Sequence, residues 1–156
     1  MDEERFTALV REYQNLLWHI AYAMLRSEQD AADAAQEALF KAWRARHTFR
    51  GEASEKTWLT RILVNVCRSM RRRRLIFSPL TGLEEAPVAV DNAPLHDALQ
   101  RLPDALRLPL VLTYLEGFSV EEAARVLSIP PGTVKSRLYR GRRELARLLD
   151  REDVDW

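Results

Sequence analysis

The chain has 156 residues, about half of them apolar, so it can form one domain or two small ones. Five glycines and seven prolines are few, which favours helices with short connections over sheets with many turns. The net charge is only +1, but residues 61–74 contain six arginines and no acid, and residues 132–149 contain six Lys or Arg against one Glu. Two basic clusters in a near-neutral chain predict two separate contacts with anions.

Cys67 is the single cysteine, which excludes an internal disulfide and any metal site built on paired cysteines. The three histidines are scattered, and no nucleophile, base or metal constellation is visible, so we expect neither an enzyme nor a cofactor or metal site. The apolar runs are too short to span a bilayer, and the first residues are acidic, unlike a signal peptide. We therefore expect no membrane insertion and a cytoplasmic location.

The first 46 residues predict two helices. Apolar residues from Phe6 to Met24 recur at steps of three and four, as on one face of an amphipathic helix. Ser27 is typical of an N-cap for a second helix that runs to about Arg46. Its small residues permit close packing, and a second stripe is mainly acidic and contains Asp30, Asp33, Glu37 and Lys41.

Gly51 breaks this pattern, and Ser54 is expected to cap a third helix that ends in four arginines at 71–74. From residue 75 to 94, prolines and acids replace the helical period, and a structureless stretch of about 20 residues is unusual within one domain. We therefore predict an all-α fold with a domain over residues 1–74, a flexible linker over 75–94 and a second domain over 95–156.

The second domain is predicted to contain four helices, the last two forming a helix-turn-helix. The first stops at Pro103, and the second, with Pro109 in its first turns, ends at Gly117. Residues 119–122 (SVEE) form a capping box, residues 128–132 (SIPPG) a tight turn, and residues 133–149 the helix that enters the major groove.

One side of this last helix is an apolar seam, and the other side is basic. The seam contains Val134, Leu138, Gly141, Leu145 and Leu148. Base edges are read from the N-terminal turns, so Lys135, Ser136 and Arg140 are the base-reading candidates. Arg137, Arg142 and Arg143 are better placed for phosphates. A solvated basic helix is the alternative, but the capping box, the turn and the one-sided charge together favour DNA.

Three strings of this chain resemble the extracytoplasmic-function sigma factors, the small bacterial initiation subunits of RNA polymerase. One string, residues 30–44 (DAADAAQEALFKAWR), resembles the core-binding helix of that family. The family's strand-opening segment is matched by residues 49–54 (FRGEAS), 57–59 (TWL) and 61–62 (RI). The family's recognition helix resembles residues 132–138 (GTVKSRL) and 140–142 (RGR). The order of the strings, split by a linker, makes the resemblance specific.

The resemblance implies a partner for each segment. It implies that the clamp helices of the largest polymerase subunit bind Asp30, Asp33, Gln36, Glu37, Phe40, Lys41 and Arg44. It implies capture of an unstacked minus-10 base on the single-stranded non-template strand by Arg50, Gly51, Glu52, Ala53, Ser54, Arg61, Asn65, Arg68 and Arg72. It implies minus-35 duplex contacts by Thr133, Lys135, Ser136, Arg137, Tyr139, Arg140 and Arg143. It also implies contact with the flap of the second-largest subunit, control by an anti-sigma factor, and a link to stress responses.

Some alternatives stay open. The acidic stripe and Asn65 are also compatible with plain solvent exposure, and Trp43 and Trp58 are expected in the core rather than stacked on bases. Ala34 and Ala35 stand where the family has larger aliphatic residues, which leaves the details of the clamp contact open. Glu55 stands where the family has an aromatic residue, which leaves the details of minus-10 capture open. A stand-alone helix-turn-helix regulator and a sigma mimic that titrates an anti-sigma factor are the competing functions. The tail, residues 150–156, has no predicted role.

Overall fold

A computed structural model describes residues 1–77 and 93–149 of the chain. The described residues form helices and turns with no β-strand among them, which confirms the predicted all-α class. The chain divides into two compact units, one over Met1–Glu85 and one over Ala86–Trp156.

The first unit packs three long helices against one another. They are α1 (Glu3–Leu25), α2 (Glu28–Arg44) and α3 (Glu55–Phe77), with a short 3₁₀ turn at Arg46–Thr48. Asp2, Ser27 and Ser54 cap their N-termini, because each side-chain oxygen accepts a hydrogen bond from the backbone N–H three residues on. The predicted caps at Ser27 and Ser54 are thus confirmed.

The buried face of α2 consists of alanines, namely Ala31, Ala34, Ala35, Ala38 and Ala42. Leu39 is only half-buried, whereas Ala34 lies fully on the buried face. Small side chains allow the α2 backbone to approach α1 and α3 closely. Ala34 and Ala35 are therefore core residues.

Several of the expected boundaries shift. The second helix ends at Arg44 rather than Arg46, and α3 continues past Arg74 to Phe77, because the next helix breaker in the sequence is Pro79. The first helix of the second unit begins at Ala93, which places Pro94 in a first turn, where the missing N–H costs little. The remainder of the predicted linker lies outside the described residues.

The second unit contains α4 (Ala93–Arg101), α5 (Asp104–Leu110), α6 (Val120–Leu127) and α7 (Pro131–Leu148). A π-helical turn, Val111–Leu115, extends α5, so the predicted second helix is this composite. Pro109 is the sixth residue of α5, within its first two turns as expected. The proline ring crowds the carbonyl four residues earlier, and proline has no N–H to donate to it. The wider π turn is one way for the helix to continue past Pro109.

Arg107 joins α4 to α5 from inside the core. It is 2% exposed, and its guanidinium donates to the backbone oxygen of Leu102 at 2.9 Å and pairs with Asp104. The end of a helix leaves carbonyls without intrahelical donors, and Arg107 satisfies one just beyond α4. Sequence reasoning did not single out this residue, because a buried arginine breaks the usual pattern of polar residues outside.

Candidate nucleic-acid interface

The helix-turn-helix is built from α6, a tight turn and α7. Ser119 and Glu122 form the predicted capping box, with both reciprocal hydrogen bonds at 3.0 Å. Ser128 ends α6 with a φ of 58°, a left-handed conformation that turns the chain sharply. Pro131 is the first residue of α7, where its fixed φ favours helix initiation.

The seam of α7 lies against α5. Val134, Leu138, Gly141 and Leu145 are buried as predicted, whereas Leu148 is half-buried. A Cβ added at Gly141 would lie 3.0 Å from the Leu110 side chain and 3.2 Å from the Leu106 carbonyl oxygen. The absence of a side chain at Gly141 therefore sets the distance between the two helices.

The opposite face of α7 is basic and open to solvent. Lys135, Ser136, Tyr139, Arg140 and Arg143 are exposed, and Thr133 and Arg137 are half-buried. Arg143 donates to the Tyr139 hydroxyl at 3.2 Å, so these two side chains are partly ordered before any ligand binds. Arg142 leans the other way and donates to the Tyr114 hydroxyl at 2.8 Å, which makes it the least available of the predicted phosphate contacts.

The second candidate surface is the loop before α3 together with one stripe of α3. Gly51, at φ 75°, supplies the turn, and Arg50, Glu52 and Ser54 are exposed beside it, with Ala53 half-buried. On α3, side chains three and four residues apart lie on one side. That stripe consists of Arg61, Asn65, Arg68 and Arg72, of which only Arg68 is half-buried.

Aromatic contacts support the base of this loop. Phe49 and Trp58 lie with ring centroids 5.3 Å apart, and Trp43 lies between Phe6 at 5.2 Å and the Arg46 guanidinium at 3.7 Å. Both tryptophans are half-buried. Their contacts are internal to the first unit, but neither lies in the buried core, where the sequence analysis expected them.

The acidic stripe of α2 is partly paired with the end of α3. Asp30, whose side chain is 17% exposed, pairs with Arg74, and Glu37 lies 3.7 Å from Lys41 and 3.9 Å from Arg73. Arg73 and Arg74, two of the four arginines at 71–74, therefore face acids of the same unit. No local sequence pattern indicates these pairs, which join residues 36 and 44 positions apart.

The remaining predicted core-binding residues are open to solvent. Asp33, Gln36, Lys41 and Arg44 are exposed. Phe40 is 59% exposed, unusual for a large apolar side chain, and the Arg44 guanidinium lies 5.3 Å from its ring centroid. An exposed aromatic residue among polar ones is typical of a protein–protein contact.

Glu55 pairs with a residue that the sequence did not connect to it. Arg5 donates from Nε to Glu55 Oε2 at 2.9 Å, and a second guanidinium nitrogen bonds the other carboxylate oxygen. This hydrogen-bonded guanidinium lowers the pKa of the Glu55 carboxyl. The carboxylate that stands where the family has an aromatic residue is thus a charged partner of α1.

Cys67 is buried, and burial raises the pKa of its thiol to about 12. A thiol with that pKa stays protonated at neutral pH and is a poor nucleophile. In the part of the chain that the structure describes, no group of three or more His, Cys, Asp or Glu could hold a metal ion. None of the described helices is long and apolar enough to cross a membrane.

Known families match both units. The Sigma-70 region 2 model matches residues 9–75, and the Sigma-70 region 4 model matches residues 93–145. The ECF RNA polymerase sigma factor SigM of Mycobacterium tuberculosis is 39% identical over 155 residues, covering 95% of this chain and 79% of SigM. The ECF RNA polymerase sigma-E factor of Escherichia coli is 33% identical, covering 90% of this chain and 84% of that relative.

Two solved structures are also similar. The sigma factor RpoE from Bartonella quintana, bound to the anti-sigma factor NepR, has a TM-score of 0.87 at 28% identity, covering 96% of this chain and 99% of RpoE. CnrH, bound to the cytosolic domain of CnrY, has a TM-score of 0.75 at 29% identity, covering 97% of this chain and 92% of CnrH.

The two units match two regions of the sigma-70 family, so the chain is a transcription initiation factor of the sigma-70 class. Within that class, the chain belongs to the extracytoplasmic-function RNA polymerase sigma factors. It is an alternative sigma factor that binds core RNA polymerase and directs promoter-specific initiation, and not a stand-alone regulator. Sigma factors are initiation factors without an enzymatic activity of their own.

Proposed function

We propose that the chain divides this work among three surfaces, with residues 1–74 acting on polymerase and the minus-10 element and residues 95–156 acting on the minus-35 element. The observation that carries the proposal is the exposed stripe of Arg61, Asn65 and Arg72 beside the open loop at Gly51. This surface lies on a different compact unit from α7. A factor that read only duplex DNA through α7 would leave this stripe without a ligand.

The exposed side of α2 is the proposed contact with the clamp helices of the largest polymerase subunit. Asp33 and Gln36 supply polar contacts, and the exposed Phe40 supplies an apolar anchor of the kind that dominates binding energies. Asp30 and Glu37 join this contact only if their bonds to α3 rearrange. A contact between the C-terminal unit and the flap of the second-largest subunit completes the proposed attachment.

The loop and the α3 stripe are the proposed minus-10 surface. An amide such as Asn65 can read the Watson–Crick edge of a base only after the base has left the stack, because pairing occupies that edge in the duplex. Arginines on the same stripe then hold the phosphates of the displaced non-template strand. The exposed N-terminal turns of α7, with Lys135, Ser136 and Arg140, are the proposed minus-35 reader.

The test is run-off transcription with core polymerase and this protein on a promoter library. We expect promoter-specific transcripts, and binding to duplex DNA without core association would refute the proposal. On the selected promoter, Asn65→Ala should reduce strand opening while core affinity stays unchanged. An equal loss of opening and core binding would contradict the role given to Asn65.

We further propose that an anti-sigma factor controls the chain and that both act in the cytoplasm. The support is similarity to the sigma factor RpoE, which was solved in complex with the anti-sigma factor NepR. Candidate anti-sigma proteins encoded beside this gene can be added to the run-off reaction. Inhibition that is relieved by excess of this protein, but not by excess core, is the expected result. Cell fractionation that places the chain outside the cytoplasm would contradict the location.

A further inference from the structure

Arg5 and Glu55 form a two-pronged ion pair between the starts of α1 and α3. Arg5 Nε lies 2.9 Å from Glu55 Oε2, and the other carboxylate oxygen bonds a second guanidinium nitrogen. Such fork geometry fixes both groups more firmly than a single hydrogen bond. The backbone N–H of Arg5 is in turn bonded to Asp2, the cap of α1, so the arginine sits on an ordered turn.

The pair lies next to the proposed minus-10 surface. Glu55 directly follows Ser54, so their Cα atoms are separated by one peptide, about 3.8 Å. At 100° per residue, Glu55 lies roughly a quarter turn away from the stripe of Arg61, Asn65 and Arg72. Its bond to Arg5 shows that it points towards α1, and its side chain is 21% exposed against 54% for Arg5.

A carboxylate at this place is a problem for a surface that binds a polyanion. Charges separated by less than about 8 Å are only partly screened at physiological salt, so an unpaired Glu55 would repel phosphates held at the loop. The guanidinium of Arg5 cancels that charge and restrains the carboxylate on the side away from the stripe. Arg5 also lies outside residues 9–75, the segment matched by the region 2 family model.

We infer that Arg5 is a positioning residue of the minus-10 surface, which acts by holding and neutralising Glu55. This inference rests on the proposed function of the loop and the α3 stripe. It predicts effects of opposite sign at the two positions. Arg5→Ala leaves a carboxylate unneutralised beside the strand and weakens its binding, whereas Glu55→Gln leaves the Arg5 cation without its acidic partner and strengthens binding. The double variant returns towards the parent protein.

A purely structural ion pair predicts something different. If the pair only held α1 to α3, either single variant would break it, and both would weaken strand binding together with thermal stability. The direction of the Glu55→Gln effect therefore distinguishes charge masking from simple tethering.

The experiment uses holoenzyme assembled from core polymerase and the full chain. The probe is a fluorescent single-stranded oligonucleotide with the non-template minus-10 sequence of a promoter selected in the run-off assay. Binding is measured at several salt concentrations. For single strands, the slope of the log binding constant against log salt concentration changes by about 0.7 per phosphate contact. We expect this slope to become shallower by about 0.7 in Arg5→Ala and steeper by about 0.7 in Glu55→Gln.

Arg11→Ala is the matched control, because Arg11 is another exposed arginine on α1 and α1 retains its cap. A loss of strand binding as large as that of Arg5→Ala would reduce Arg5 to a general charge effect and overturn the inference. The inference is also overturned if Asn65→Ala weakens strand binding while Arg5→Ala and Glu55→Gln either change it in the same direction or leave it unchanged. If Asn65→Ala also has no effect, the proposed minus-10 surface itself is wrong. Opposite signs with recovery in the double variant support the inference.

Discussion

The contact at Gly141 gives a sharp prediction about how α7 is held. In Gly141→Val, the first added carbon would already lie 3.0 Å from the Leu110 side chain and 3.2 Å from the Leu106 carbonyl oxygen. The oxygen belongs to the backbone and cannot move without shifting α5. Overpacking of this kind costs about 1–3 kcal/mol, while the better helix propensity of valine returns only a few tenths of a kcal/mol. We expect a net loss of about 1–3 kcal/mol in the second unit.

Gly132→Val is the matched control on the same helix. A Cβ at Gly132 would meet nothing within 4 Å, and its φ is not positive, so we expect a change within about 0.5 kcal/mol. The assay is amide hydrogen exchange of the full chain, with peptides of α5 and α7 reporting the second unit and peptides of α3 serving as the internal reference. Equal stabilities of the two variants would refute the claim that Gly141 sets the spacing between α5 and α7.

Three further outcomes follow from the geometry. With a pKa of about 12, Cys67 should react with a disulfide reagent at pH 8 on the order of a thousand times more slowly than a free thiol, and denaturant should abolish the protection; fast labelling of the folded chain would contradict this. Ser119→Ala should destabilise the second unit by about 1 kcal/mol in urea unfolding, and no loss would argue against the capping box. The double variant Arg73→Gln, Arg74→Gln should bind core polymerase more tightly, because it releases Glu37 and Asp30 for the polymerase. The single variant Arg72→Gln should not; an equal change in core affinity in both variants would show that the pairing is irrelevant.

Local patterns made much of this fold predictable. Periodicity and local hydrogen bonding act between residues a few positions apart in the sequence. They therefore predicted the apolar seam of α7, the capping box at Ser119 and the caps at Ser27 and Ser54. The π turn after Pro109 could not be predicted, because proline at that position is also compatible with a helix start or a kink.

The paired charges were not predictable for a different reason. Arg5 and Glu55 are 50 residues apart, and neither position shows in sequence that α1 and α3 begin side by side. The sequence could place Asp30 and Glu37 on one stripe of α2 but could not show that the last arginines of α3 face them, because that depends on the packing of the two helices. The candidate surfaces were therefore visible as residue sets before the structure, and their internal pairing was not.

That pairing explains how a chain of net charge +1 can present two faces to a polyanion. Attraction to phosphates depends on charges within about a Debye length, not on the total. Residues 131–143 contain five Lys or Arg and no acid, whereas Glu144, the acid of α7, pairs with Arg147 near the end of the helix. In the first unit, acids likewise neutralise Arg5, Arg73 and Arg74, while Arg61 and Arg72 are exposed on the α3 stripe. The acids thus reduce the positive charge at the start of α1 and at the end of α3, whereas the cations on the two faces proposed to meet DNA stay exposed. A polymerase surface that engages Asp30 and Glu37 would uncover the charges of Arg73 and Arg74 again.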